Sequence, residues 1–302
     1  MTNTEVLRSY SGASVAEIED ALEKSTVVYF DRCPMELPCE DDLVFLREAL
    51  PSQTRIKNVS YHPESDSVPR FEGSEAAQAR VTEILKDHSL TVTRYLQRTI
   101  PSLAPGWKVG TCSFRPSQEQ GRGLNPRSSN EIVHVDAGAY GATGGDRILR
   151  FFVNVNPAVD RVWGTKGSFS SLLERHPALH DAARGDGDRI QVRKRLKDRC
   201  YSGLISAVSK AYPLAKVIDS SPYDRAMRRI HNYMKEAEEF RDDPSDYREL
   251  RFPPFSAWMV LTDSVSHSVI SGQYAFVTTI LVPLKNCRQP ELAPYYVLES
   301  AA

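Results

Sequence analysis

The chain reads as a mixed α+β protein, a double-stranded β-helix (jelly roll) carrying an N-terminal helical region and a helical insertion. Three observations predict this. Apolar runs of strand length cluster from Trp107 onward, a long stretch of helical periodicity splits them, and no alternating βαβ pattern appears. The predicted organisation is a mainly helical region over 1–105 packed on a core over 106–302, with the insertion at about 168–250.

Ser14 and Glu17 form a capping-box pattern before AEIEDALEKS, and the short strand STVVYF follows. After a Pro/Cys-rich loop, DDLVFLREAL and the segment from Ser74 to about Arg98 read as amphipathic helices. The second is marked by Val81, Leu85, Val92 and Leu96 and is weakest at Ser89 to Thr93. The predicted strands are then WKVGTCSFRP, EIVHVDAG, RILRFFVNVNP, AWMVLTDSVSH and QYAFVTTILVP, with Gly, Pro and Asn at the joints. The insertion includes VRKRLKDRCYSGLISAV and YDRAMRRIHNYMKEAEEF.

With 302 residues, 41% hydrophobic and 25% charged, the chain has ordinary globular composition and length enough for one large core. Its 38 basic and 39 acidic residues give a formal charge of -1, so charge offers no argument for nucleic acid and partners must be read from sites. The N-terminus shows no apolar signal region and no run is long enough to span a membrane, which predicts a cytoplasmic protein. The five cysteines lack metal-site spacing and fit reduced thiols.

Chemistry concentrates in IVHVDAG. On a strand, His134 and Asp136 share one face, while Val133 and Val135 share the other. A hydrogen-bonded structural pair explains the triplet as readily as a metal site does. His267, in the turn before the last long strand, is the candidate third ligand, and two imidazoles with one carboxylate suit non-haem Fe(II) with open positions. Asp263 is expected to cap the turn that aims His267, and His62, His88, His176 and His180 are expected in surface or packing roles. A non-catalytic sugar-binding module and a zinc hydrolase are the alternatives from other classes.

Enzymes with this ligand set commonly use 2-oxoglutarate and O2, and the far carboxylate of 2-oxoglutarate needs a cation. No basic residue follows His267 before Lys285. The predicted anchor is Arg150, with Arg147 as alternative and Asn154 on the same polar strand face as Arg150. Arg115, Arg122 and Arg127 precede the motif, placed to hold an anionic substrate or to solvate a loop, and AGAYGATGGD after it is a lid or a connector.

Over about 107–299 the chain resembles the Kdo hydroxylases. The resemblance is carried by SFRPSQEQGR, VHVDAGAY, GDRILRFFVNVNP, RVWG, SPYDRAMRRIHNYMK, FPPFSAWMVLTDSVSHSVISGQY and LAPYYVLE, and more weakly by NVSYHP. It implies Fe(II) on His134, Asp136 and His267, with 2-oxoglutarate and O2 as co-substrates. The implied reaction hydroxylates C3 of the octulosonic acid sugar of lipopolysaccharide, as lipid-linked Kdo (Kdo-lipid A) at the inner membrane. The loop AGAYGATGG departs from the bulkier, proline-bearing loop expected there. His231 and Lys235, within a matched block, are the implied substrate contacts alongside Arg115 and Arg127. The basic run RIQVRKRLKDR, with Arg193, Lys194, Arg195 and Lys197, either attracts an anionic membrane surface or is a solvated helix face.

Overall fold

The computed structural model describes residues 7–54, 56–118, 121, 123, 125–138, 142–193 and 221–302. Ten strands are found among them: β1 (Leu7–Ser9), β2 (Val27–Phe30), β3 (Val59–Tyr61), β4 (Lys108–Arg115), β5 (Arg147–Asn154), β6 (Arg161–Thr165), β7 (Arg248–Phe252), β8 (Ala257–Leu261), β9 (Ser268–Ser271) and β10 (Ala275–Val282). They form a seven-stranded sheet in the order β1-β2-β8-β5-β10-β4-β3 and a three-stranded sheet in the order β7-β6-β9. From β4 onward the chain alternates between them: β5 in the large sheet, β6 and β7 in the small one, then β8 large, β9 small and β10 large.

Strand alternation divides the core. Leu149, Phe151, Val153, Met259 and Phe276 face outward onto the helices Val15–Glu23 and Glu75–Thr99. Phe152, Trp258, Val260 and Val277 face inward and meet Trp163, Leu250, Phe252 and Val269 of the small sheet. The 25-residue helix is capped by Ser74 and runs unbroken through Ser89–Thr93, where the Thr93 hydroxyl donates back to the Ser89 carbonyl. Its apolar stripe of Val81, Leu85, Val92 and Leu96 is fully buried, so packing overrides the weak local propensity.

Two departures from the sequence reading matter. The first hundred residues enter the large sheet itself, β2 pairing with β8 and β3 with β4, because Val27 and Val28 are buried on both faces and each needs a partner layer. The chain also resumes as a strand at Arg248, inside the range assigned to the insertion, where RELRF alternates exposed and buried residues along the edge of the small sheet. The insertion's helices Phe169–Arg175, Ala178–Arg184 and Pro222–Glu236 pack on one another and on Val135. Most of VRKRLKDRCYSGLISAV lies outside the described residues. Among the described residues no helix is long and apolar enough to cross a membrane.

EIVHVDAG is not a regular strand. His134 exchanges backbone hydrogen bonds with His267 beside the small sheet (3.1 and 2.8 Å), whereas the Asp136 amide donates to Thr262 at the end of β8 (2.9 Å). The segment therefore crosses from one sheet to the other and can pair along neither.

His88 is buried against Phe276, ring centroids 4.1 Å apart, and neither ring nitrogen has a hydrogen-bond partner among the described residues. Burial pushes its pKa down to about 3. Between the ordinary value near 6.5 and that value the unfolded chain binds a proton that the native state refuses, so this group destabilises the fold as pH falls through that window. Urea denaturation should show the wild type losing about 2 kcal/mol more than His88→Leu between pH 7 and pH 5. Parallel losses in the two proteins would show that His88 is not the acid-sensitive group.

Candidate active site

Three side chains converge where the 130–136 segment crosses between the sheets: His134, Asp136 and, from the residue before β9, His267. All three are buried, and their candidate ligand atoms lie within 4.8 Å of one another. Asp136 Oδ1 is 3.8 Å from His134 Nε2 and 4.0 Å from His267 Nε2. Each imidazole directs Nδ1 at the carbonyl two residues back, Ile132 at 2.7 Å and Val265 at 3.0 Å. A carbonyl only accepts, so Nδ1 carries the hydrogen and Nε2 presents a lone pair toward the carboxylate.

Electrostatics favour the same state. Burial holds both imidazoles below their ordinary range, His134 well below, so they remain neutral. Burial by itself would raise Asp136, but the Arg150 guanidinium outweighs it and holds the carboxyl well below the usual carboxylate range. Two neutral imidazoles and one carboxylate, aimed at a common point, form a donor set that fits a divalent transition metal with positions left open.

Arg150 completes the arrangement. Its Nη2 lies 2.9 Å from Asp136 Oδ2, on the side away from the imidazoles, while its Nε is buried with no hydrogen-bond partner among the described residues. Cross-strand neighbours put Thr279, and next to it Thr111, on the same inner face of the large sheet. The ion pair sets the carboxylate's orientation, as partners of metal-binding carboxylates do.

The helix Pro222–Glu236 brings His231 and Lys235, one turn apart, over the triad. His231 Nδ1 donates to the Val135 carbonyl (2.7 Å), and its ring stands edge-on to His134 at 5.0 Å. Lys235 is buried, with Nζ donating to the Arg127 carbonyl at 3.1 Å. Burial pushes its amine down to about 8, with the Lys57 charge adding and the Asp136 charge opposing. The Arg127 side chain forms an exposed ion pair with Glu236 (2.6 Å) on the rim.

Other expected site residues take different places. Arg147 is fully buried, its Nε 2.6 Å from Asp263, whose other oxygen accepts the Ile148 amide at 3.2 Å. Arg147 is thus neutralised in an internal ion pair, its two Nη atoms buried without partners among the described residues, and Asp263 fastens β5 to the turn after β8 instead of capping that turn. Asn154 gives both amide hydrogens to the Val159 and Phe252 carbonyls and accepts from the Asn156 amide, which leaves no donor for a cofactor. Arg115 stands level with Asn154 across Ala275, several rungs from Arg150 and Thr111. Arg122 lies outside the described residues.

Two neighbours of the site were not singled out from the sequence. Trp163 stacks on His267 with centroids 5.2 Å apart, and Lys57 lies close enough for its charge to act on Lys235. Their only signal was position, Trp163 inside RVWG and Lys57 just before NVSYHP.

A buried cluster of two imidazoles and a carboxylate between two β-sheets defines a protein of the facial-triad metal-site class. The chain belongs to the 3-deoxy-D-manno-oct-2-ulosonic acid (Kdo) hydroxylase family, whose pattern matches residues 8–302. It is similar to the solved apo structure of the Kdo hydroxylase KdoO, a non-heme Fe(II) alpha-ketoglutarate dependent dioxygenase. The identity is 26%, with 98% of this chain and 96% of that chain covered and a TM-score of 0.79. The KdoO complex with alpha-ketoglutarate and Fe(III) matches at the same identity and coverage with a TM-score of 0.78. No curated protein sequence matches.

Removing either partner of the Arg147–Asp263 pair leaves a buried charge unpaired. Arg147→Ala and Asp263→Ala should each lose about 3 kcal/mol of stability in urea denaturation, and the double variant Arg147→Met/Asp263→Leu should recover most of it. If Arg147→Ala instead left stability intact and raised the 2-oxoglutarate requirement, Arg147 would be the anchor after all.

Proposed function

We propose that the protein is an Fe(II)- and 2-oxoglutarate-dependent dioxygenase that hydroxylates C3 of the Kdo sugar, and that its substrate is Kdo linked to lipid A. The observation that carries this reading is the triad of His134, Asp136 and His267, with both Nε2 atoms and one carboxylate oxygen turned to a common point. Family membership supplies the sugar acid. The alternation of strands between the sheets from β4 to β10 supports reading them as a jelly roll, with 106–302 as the oxygenase unit and 1–105 bracing its outer face and both edges.

In this reading the three side chains hold Fe(II), which together with 2-oxoglutarate and O2 supplies an oxidant for a carbon–hydrogen bond, 2-oxoglutarate leaving as succinate and CO2. Arg150 holds Asp136 through one arm, and its remaining donors, flanked by Thr279 and Thr111, receive a carboxylate of 2-oxoglutarate. On the other side His231 and Lys235 receive the sugar acid, the Lys235 ammonium facing its carboxylate. The apolar wall of Trp163 and Val269 keeps water from the inner side. Lipid linkage and peripheral contact with the inner-membrane surface rest on the basic run 189–199. Of its cations only Arg189 and Arg193 are described, Arg193 in an ion pair with Glu299, and Lys194, Arg195 and Lys197 lie outside the described residues.

Incubation of Kdo-lipid A with the protein, Fe(II), 2-oxoglutarate and O2 should add one oxygen to the sugar, read by mass spectrometry, with one succinate per product. His134→Ala, Asp136→Ala and His267→Ala should each abolish both products and the uptake of one Co(II) per chain, with circular dichroism unchanged. Near-normal turnover by any of the three would remove the ligand assignment. Free Kdo should react more slowly than the lipid-linked sugar, and equal rates insensitive to salt would confine recognition to the sugar pocket.

Arg150→Ala should raise the 2-oxoglutarate requirement on the order of a hundredfold, the equivalent of losing about 3 kcal/mol of charge-assisted hydrogen bonding. It should also weaken metal binding, because Asp136 loses its orienting partner. Lys235→Ala should raise KM for the sugar acid while leaving that for 2-oxoglutarate within about twofold, since uniform binding is lost at one substrate only. The reverse pattern would exchange the two assignments.

A further inference from the structure

A line of aromatic rings leads from His267 to the protein surface. Trp163 stacks on His267 at 5.2 Å and stands edge-on to Trp258 at 5.5 Å. Trp258 stacks on Phe252 at 3.8 Å and on Phe152 at 5.1 Å. On the far side, Tyr29 is the cross-strand partner of Trp258 in the β2–β8 pairing, with its ring 6.1 Å from that of Phe252. Tyr29 is partly exposed, whereas both tryptophans are buried.

Packing alone does not account for the choice of indoles. The Nε1 hydrogens of Trp163 and Trp258 are both buried with no acceptor among the described residues. A buried indole normally finds a partner, and each unmet donor costs stability that a phenylalanine at the same place would not. The missing acceptors have a chemical consequence, because an indole that loses an electron there cannot shed its proton and must draw an electron from its neighbour. Tyr29 is different: Asp31 and Ser256 stand at its phenol. The Asp31 carboxylate, itself accepting from Ser9 and Ser11, can take the proton that a phenol releases on oxidation.

We propose that Trp163, Trp258 and Tyr29 form an electron relay that discharges the metal site to the surface when O2 is activated without sugar acid in place. The proposal rests on the oxygenase reading above. In one passage Trp163 gives an electron to the O2-derived oxidant at the iron, Trp258 refills Trp163, and Tyr29 refills Trp258 while its phenolic proton passes to Asp31. A soluble reductant such as ascorbate or a thiol then returns a hydrogen atom to the tyrosyl oxygen, and Asp31 releases its proton to water. Two passages, with two protons from solvent, reduce the oxidant to water and spare His267 and the sheet interior from oxidation.

The test uses Fe(II)-loaded protein with 2-oxoglutarate and O2 but no sugar acid. Freeze-quenched wild type should show a tyrosyl radical by electron paramagnetic resonance, absent from Tyr29→Phe, which keeps the ring and removes only the hydroxyl. Peptide mass spectrometry should find added oxygen on Trp163 and His267 accumulating severalfold faster in Tyr29→Phe and Trp258→Phe. Ascorbate should protect the wild type and not these variants. Turnover of the sugar acid in the coupled reaction should be unchanged in Tyr29→Phe. Succinate measured in the same samples shows that oxygen activation took place, which separates failure of the relay from failure of the oxygenase reading. With succinate formed, equal damage in wild type and Tyr29→Phe, or a wild type with no tyrosyl radical, overturns the relay.

Discussion

The site depends on three backbone hydrogen bonds. His134 exchanges two hydrogen bonds with His267, and the amide of Asp136 reaches Thr262 on the opposite sheet. Together with the Val269 amide, which donates to the Asn130 carbonyl, these bonds stretch the 130–136 segment across the gap between the layers. Because the segment is tied at both ends, its side chains cannot rotate away, and His134 faces His267 across a shared bridge. Each imidazole is then turned by a carbonyl of its own chain, two residues back, so the backbone that positions the ligand also selects its tautomer.

Charge is distributed around that crossing in a consistent way. Asp136 has one oxygen toward the imidazoles and one toward Arg150. A buried carboxylate without such a partner would take up a proton, and a protonated acid is a poor metal ligand. Lys235 and Lys57 bring further positive charge from the insertion and from the first hundred residues, so the region around one buried carboxylate is rich in cations. Such a field suits anionic small molecules, and both 2-oxoglutarate and a sugar acid are of that kind.

The cost of the arrangement falls on the core beside it. Arg147, Asp263, Trp163 and Trp258 place polar atoms in the interior, the first two as an ion pair, and the Arg147 Nη atoms and both indole N–H groups have no partner among the described residues. Interiors normally avoid such groups, and the two tryptophans stand in line with His267. The stable apolar layer lies on the other face, where the long helix Glu75–Thr99 covers the large sheet.

Much of this was legible before the structure. Capping at Ser14, the long helix from Ser74, the strands at 108–115, 147–154, 257–261 and 275–282, and the triplet His134-x-Asp136 with a later His267 all follow from local chemistry. The blocks that resemble the Kdo hydroxylases lie within the range that the family pattern matches. What strand alternation could not decide was partnership. Arg147 and Arg150 sit three residues apart in one strand, yet one pairs with Asp263 from 116 positions away and the other faces Asp136 at the triad. Asn154 looked available because a side chain's acceptors on neighbouring strands cannot be seen in its own segment. The sequence by itself determined which residues are capable of the chemistry, since residue type and period are local properties. Only the tertiary structure decided which of them are left with unspent hydrogen bonds and charge at the triad, since that depends on contacts between strands far apart in the chain.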